Sequence, residues 1–376
     1  MPKRIKFTCI EAFCGAGGLG AGLKKAGFDV LFAFDYNKMA IETFKTNVSQ
    51  SAAVLDATKV SPEEILKLAG IAKRELTLLS GGPPCQGFSR QNKDGENGDK
   101  RNRLIVKYIR MVQHIEPWFF VLENVDTFLK KRGRNYFGLI NKGLSEQYQI
   151  FPQEINCADY GIPQIRKRGV IVGVRRDLNL KYEFPRPTHE NKWLTIGQVL
   201  KAVPPPPQDG TEHTVIPNHY VPNITDLNRE RISYVPQGSG RKCLPKYLQL
   251  QCHKKKTGWP DVYGRMAWNK PSVTITGGFD NFTRGRFGHP FEDRPITPRE
   301  AALIQGFDIN FRFCGNKGEV RKQIGNAVPP PIGEIVGHSI IETIKKQKKV
   351  KIEQSRIKRA KILIKHEIVE SITVSI

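Results

Sequence analysis

An α/β fold built on a doubly wound sheet, with a smaller irregular part inserted, is the class this sequence predicts. Three observations carry it. Short apolar runs alternate with amphipathic stretches over roughly the first 180 residues. A glycine-rich segment follows the first of those runs directly. From Asn191 to Pro290 the alternation stops, and Pro, Gly, Lys and aromatic residues take over with little periodicity. In order, Lys6 to Ala12 reads as a strand, Leu19 to Lys25 as a helix, Val30 to Phe34 as a strand and Lys38 to Phe44 as a helix. A third strand fits before Asp56, and the short apolar stretch Glu75 to Leu79 reads as a buried parallel strand. Leu104 to His114 is amphipathic, and Trp118 to Leu122 and Val170 to Val174 are further strands. After the stiff run Pro204-Pro205-Pro206-Pro207, helical character returns at Pro298 to Gln305 and at Ile332 to Lys345.

The chain has 376 residues and a formal net charge of +24, from 60 Lys and Arg against 36 Asp and Glu. Such an excess points to a polyanionic partner, nucleic acid above all. No apolar run reaches the length of about 18 residues that a membrane helix needs, and the N-terminus lacks a signal-peptide pattern. An intracellular protein is expected. The cysteines are Cys9, Cys14, Cys85, Cys157, Cys243, Cys252 and Cys314. None forms a C-x-x-C pair, so zinc-ribbon spacing is absent and no metal is expected.

Gly15-Ala16-Gly17-Gly18-Leu19-Gly20 follows a strand and opens a helix. Glycines admit a ligand close to the backbone, and the helix start offers free N–H groups. Asp35 lies at the end of the next strand, where a carboxylate can hold ribose hydroxyls. This pattern fits a nicotinamide dinucleotide or S-adenosylmethionine equally well. Asp56 is a further candidate for such a pocket, or a turn cap.

Gly81-Gly82-Pro83-Pro84-Cys85-Gln86-Gly87-Phe88-Ser89 sets a thiol in a rigid turn at the end of a strand, where α/β enzymes place their ligands. Pro84 fixes the backbone beside it. The polar stretch that follows, as far as Arg103, reads as a lid.

These segments resemble, in order, the motifs of the cytosine-C5 DNA methyltransferases of bacteria and phages. They are Phe13-Cys14-Gly15-Ala16-Gly17-Gly18, Pro83-Pro84-Cys85-Gln86, Glu123-Asn124-Val125, Gln164-Ile165-Arg166-Lys167-Arg168, Arg299-Glu300-Ala301-Ala302 and Gln323-Ile324-Gly325-Asn326-Ala327-Val328. The resemblance runs over about residues 7–340 and implies a Rossmann-like adenosylmethionine-dependent fold. It implies that Cys85 attacks cytosine C6, that Glu123 serves N3 with a raised pKa, and that Arg168 faces O2 with Arg166 in support. Phe13, Gly15, Gly17, Gly18, Asp35, Tyr36, Asp56, Pro83, Asn326 and Val328 would line the S-adenosylmethionine site. Asp35 stands where the family usually has Glu, a shorter reach to the ribose. A dehydrogenase has no use for the cysteine and Glu123 segments.

The resemblance divides the chain into a catalytic domain over 1–190, a target-recognition domain over 191–298, a return segment over 299–345 and a basic extension over 346–376. Candidate DNA readers lie in Gln237 to Lys246 and Lys254 to Arg265, where arginines meet guanine edges or phosphates. The expected partner is double-stranded DNA, bound by a monomer in the cytoplasm, with a restriction endonuclease acting on the same site. An RNA cytosine methyltransferase and a noncatalytic DNA-binding regulator are the other readings.

Overall fold

The computed structural model describes residues 6–84, 102–130, 133–251 and 261–347. Seven strands form one sheet in the order β3-β2-β1-β4-β5-β7-β6. They are β1 (Phe7–Ala12), β2 (Phe28–Asp35), β3 (Ala52–Val54), β4 (Leu78–Gly81), β5 (Phe119–Val125), β6 (Tyr148–Asn156) and β7 (Lys167–Arg175). The first five pair in parallel, while β7 runs antiparallel to both β5 and β6. The strand order reverses at β1, so the carboxyl ends of β1 and β4 flank the crevice where open α/β sheets take their ligands.

Two apolar layers cover the sheet. One face carries α1 (Gly18–Ala26), α2 (Lys38–Asn47), α8 (Pro298–Ile304), α9 (Lys317–Asn326) and the helix over 330–347, through Leu23, Phe44, Ala302, Ile324 and Ile340. The other face carries α3 (Pro62–Ala69), α4 (Asn102–Ile115) and α5 (Arg134–Leu144), through Ile65, Val112 and Leu144. The Tyr108 hydroxyl donates toward the carbonyls of Leu79 (3.0 Å) and Val121 (2.8 Å), which fastens α4 to the sheet centre.

The expected strands and helices are present with shifted ends. The stretch read from Glu75 becomes a strand only from Leu78 and continues to Gly81. The sequence reading missed β6, α3, α5 and α9. Strand β6 is an edge whose middle is exposed, and it contains Pro152, as an edge strand permits. Helix α9 is polar, and a capping box between Asn316 and Glu319 starts it.

The irregular stretch contains α6 (Ile196–Leu200) and α7 (Asp226–Ser233) and shares two cores. Ile196, Met266, Ile275 and Phe287 join the layer on α1 and α2, whereas Ile232, Val235, Leu244, Tyr263 and Phe282 form a small cluster of their own. With so few ladders, its carbonyls need other donors. Arg265, 5% exposed, gives them: it donates to the carbonyls of Val235 (2.6 Å), His289, Glu292 and Ile232 (2.8 Å each) and pairs with Asp293. Arg265 is therefore an internal brace and leaves the set of candidate DNA readers. Arg299 does the same for Pro217, Asp308 and Phe311. Of the other reader segment, Lys242 and Lys246 are exposed, while Lys254 to Pro260 lie outside the described residues.

Candidate active site

The glycine loop leaves β1 through Phe13, whose φ is 55°, and enters α1 through Gly17, the N-cap residue, at φ 88°. A side chain on Gly15 would meet no atom within 4 Å, so the loop presents bare backbone to open space there. At Gly18 a β-carbon would lie 2.1 Å from the Val328 carbonyl oxygen. Only glycine lets the return segment close so tightly on the loop.

Asp35 ends β2 beside this loop. Its carboxylate accepts the Gly15 N–H at 3.0 Å and the Asn37 N–H at 2.9 Å. Burial raises its pKa, and the backbone donors oppose that. Phe13 packs on Phe34 at 6.3 Å between ring centroids. Tyr36, the residue after Asp35, is 72% exposed, an aromatic surface left open. Asp56 follows β3 and accepts from the Thr58 amide (2.8 Å) and hydroxyl (2.7 Å), the turn-cap arrangement, with its carboxyl held below the usual range by those donors. Asn326 ends α9 and is exposed.

Glu123 lies on β5, 8% exposed, and its Oε1 meets Arg168 Nε at 3.0 Å. Burial raises its pKa, while Arg168 and then Arg166 hold it down. Its neighbour Asn124 donates to the Pro83 carbonyl at 3.0 Å, which ties the turn after β4 to the end of β5. Cys85 lies outside the described residues.

Arg166 is 3% exposed and donates to the carbonyls of Ile275 (2.8 Å), Ala327 (3.0 Å) and Gly325 (3.4 Å). Burial, then the Arg168 cation, pull its guanidinium pKa down to about 9. Gln164, fully buried, accepts the Ile275 N–H at 2.8 Å. The structure therefore pairs Glu123 with Arg168, ties Pro83 to Asn124 beside Glu123, fastens Arg166 to the Ala327 carbonyl and brings Val328 onto Gly18. Among the described residues, the side chains of Tyr36, Asp56 and Asn326 make no hydrogen bond to Glu123, Arg166 or Arg168.

One acid escaped the sequence reading. Glu11 sits in β1 at 2% exposure, with Oε2 lacking a hydrogen-bond partner and lying 2.1 Å from where a Gly20 β-carbon would be. A carboxyl inside an apolar strand was the available signal. Burial pushes its pKa from 4.5 to about 8. Folded Glu11 thus keeps its proton until about pH 8, whereas the unfolded chain releases it near 4.5. Its contribution is full below the lower value and lost as pH rises through the upper one. Glu11→Gln copies the protonated shape, so its melting temperature should gain on the wild type between pH 5 and pH 9, by several degrees at the upper end. Thermal melts at both pH values test this, and an equal difference at the two would refute it.

Backbone laid bare at a sheet switch point, beside a buried carboxyl–guanidinium pair, defines an α/β enzyme with a nucleotide-type pocket adjoining an acid site. The comparisons name the class. The family model described as C-5 cytosine-specific DNA methylase matches residues 7–342. The Type II methyltransferase M1.HphI of Haemophilus parahaemolyticus is 31% identical over 90% of this chain and 87% of its own. The Type II methylase M.HgiDII of Herpetosiphon aurantiacus is 32% identical over 91% and 98%. Among solved structures, the Entamoeba histolytica methyltransferase EhMeth superposes with a TM-score of 0.65 at 17% identity, covering 91% of this chain and 99% of that one. The chain belongs to the C-5 cytosine-specific DNA methylase family and is a DNA cytosine-5 methyltransferase.

Proposed function

We propose that the protein modifies the cytosine of a specific duplex sequence through a covalent adduct on Cys85, with S-adenosylmethionine as donor. The observation that carries this reading is the Glu123–Arg168 pair, tied through Asn124 to the turn that leads into Cys85. Bare backbone at Gly15 and the Asp35 carboxylate fit a nucleoside, and the exposed Tyr36 ring fits the face of an adenine. Phe13, Gly17, Gly18, Asp56, Pro83, Asn326 and Val328 complete the proposed donor site. When bound, the donor supplies an electrophilic methyl group.

The chain's own residues prepare the acceptor. A cytosine inside the duplex is out of reach, so the base is flipped out at a cost of a few kcal/mol. The Cys85 thiolate adds to C6, forming the C–S bond while electron density moves to N3. Glu123, kept protonated more readily by burial, gives N3 a proton or hydrogen bond. C5 then has the enamine character needed to take the methyl. Loss of the C5 proton and elimination of Cys85 restore the ring and the free thiol. Arg168 orients Glu123 and reaches for the cytosine O2, and Arg166 supports it.

The proposed division has residues 1–190 and 299–345 as the catalytic body, 191–298 as the reader and 346–376 as a basic extension. The reading has the protein act as a monomer in the cytoplasm beside an endonuclease of the same restriction–modification system, a pairing that the Type II names of the relatives support.

A duplex carrying 5-fluorocytosine at the modified position tests the chemistry. Its C5 fluorine cannot leave as a proton, so the adduct on Cys85 should persist and shift the protein on a denaturing gel. The site itself is found by bisulfite sequencing of DNA from cells expressing the protein. Active enzyme that forms no adduct would overturn the covalent route. Equal methylation of transfer RNA would favour the RNA reading.

A further inference from the structure

We propose that the outer face of α4 is a phosphate track for duplex DNA flanking the target, separate from the pocket that receives the cytosine. The inference rests on DNA as substrate and adds a second contact surface to it. Arg103, Lys107, Arg110 and His114 stand at i, i+4, i+7 and i+11 of α4, which places them on one stripe. The stripe is about 16 Å long at 1.5 Å per residue. Its opposite face, with Tyr108, Val112 and Ile115, is buried on the sheet.

Two features of this stripe disfavour the free protein. Like charges three and four residues apart repel. The first turn of α4 contains Arg103 and no acid, against the helix macrodipole. No ion pair relieves Arg103, Lys107 or Arg110 among the described residues, whereas His114 meets Glu63 at 3.0 Å. A cavity of about 470 Å³ opens beside the stripe, lined by Lys107, Arg110 and His114 from α4 and by Lys59, Ser61 and Glu63 around the start of α3. Lys73, also on its wall, is tied to Glu116 at 2.7 Å. Cations from two separate segments thus converge on one opening in excess of its acids, Glu63, which meets His114, and the nearby Asp56, which faces Lys59 and Lys107.

The occupant follows from continuity. Arg103 lies just past residues 85–101, the segment that includes Cys85, and a helix after a parallel strand starts at the strand's carboxyl end. The stripe begins at the edge of the sheet that holds Glu123 and leads away from it. A backbone that enters the catalytic cleft and continues beyond it meets these cations in turn.

The test compares wild type with the Lys107→Ala/Arg110→Ala double variant, both exchanges to the best helix former. Binding is measured across a salt series on two duplexes. One just covers the methylated site, and the other extends it by two helical turns on each side. Each neutralised phosphate contributes a slope of about 0.9 in log K against log salt. The expected result is a slope reduced by roughly two on the long duplex, with binding and turnover on the short duplex unchanged. An unaltered slope on the long duplex overturns the proposal, as does an equal loss on both. Inorganic triphosphate that binds wild type but not the variant, without any change in slope, would also overturn it and assign the cavity to a small phosphorylated ligand. Failure of the short duplex to be methylated by wild type would instead remove the DNA reading beneath it.

Discussion

Cys85→Ser is expected to lower methyl transfer by on the order of 10⁴-fold or more, the scale on which loss of an enzyme nucleophile is felt. The serine hydroxyl keeps the size of the side chain but titrates far above neutral pH, so it cannot supply the nucleophile that a thiolate does. Donor binding should survive. Most residues proposed for it lie on the glycine loop, at the ends of β2 and β3 and on the return segment, and Pro83 beside the cysteine is left unchanged. Duplex binding should survive too, because phosphate contacts dominate affinity. Tritiated methyl transfer and calorimetric donor titration on the same preparation check both halves. Turnover within tenfold of wild type would remove Cys85 from the mechanism, and lost donor binding would make it structural.

How much the sequence disclosed depended on what each element packs against. The strands β1, β2 and β5 and the helices α1, α2 and α4 were legible because burial writes a period into their residues. Strand β6 was not, since its middle faces solvent and its ladder is supplied by β7. Helix α9 was hidden by its polarity, although the caps Asn316 and Glu319 were readable in principle. The site was legible where a motif fixes a residue to a turn, as at Gly18 and Pro83. The partners of the arginines were not. A guanidinium offers the same forked donors to a guanine edge, a phosphate or a row of backbone carbonyls. Arg265 and Arg299 serve carbonyls, and part of the charge read as DNA affinity is used inside the protein.

Arg166 is the position where that ambiguity bears on catalysis, and its substitution has the second largest expected effect. Arg166→Ala leaves the carbonyls of Ile275 and Ala327 without the donors they now have, in a region the side chain fills at 3% exposure. Each buried acceptor so stranded costs about 1–3 kcal/mol, a large part of a stability of roughly 5–15 kcal/mol. The melting temperature should fall steeply. Arg166→Lys keeps the charge but replaces the fork with a single ammonium group, so it should stay folded while holding fewer of the three carbonyls. The effect should then travel along the chain. Ala327 is followed by Val328, whose carbonyl closes on Gly18 at the mouth of the glycine loop. A looser 325–328 segment should raise the donor KM about tenfold or more, with a smaller loss in kcat. A residue acting directly on cytosine would behave in the opposite way, lowering kcat while donor KM and melting temperature stay at wild-type values. Steady-state kinetics in donor and duplex, with melts of the same two variants, separate the roles. The second pattern would return Arg166 to the reacting base, and the first makes it the positioning residue that holds the proposed donor site against the proposed catalytic pair Glu123 and Arg168.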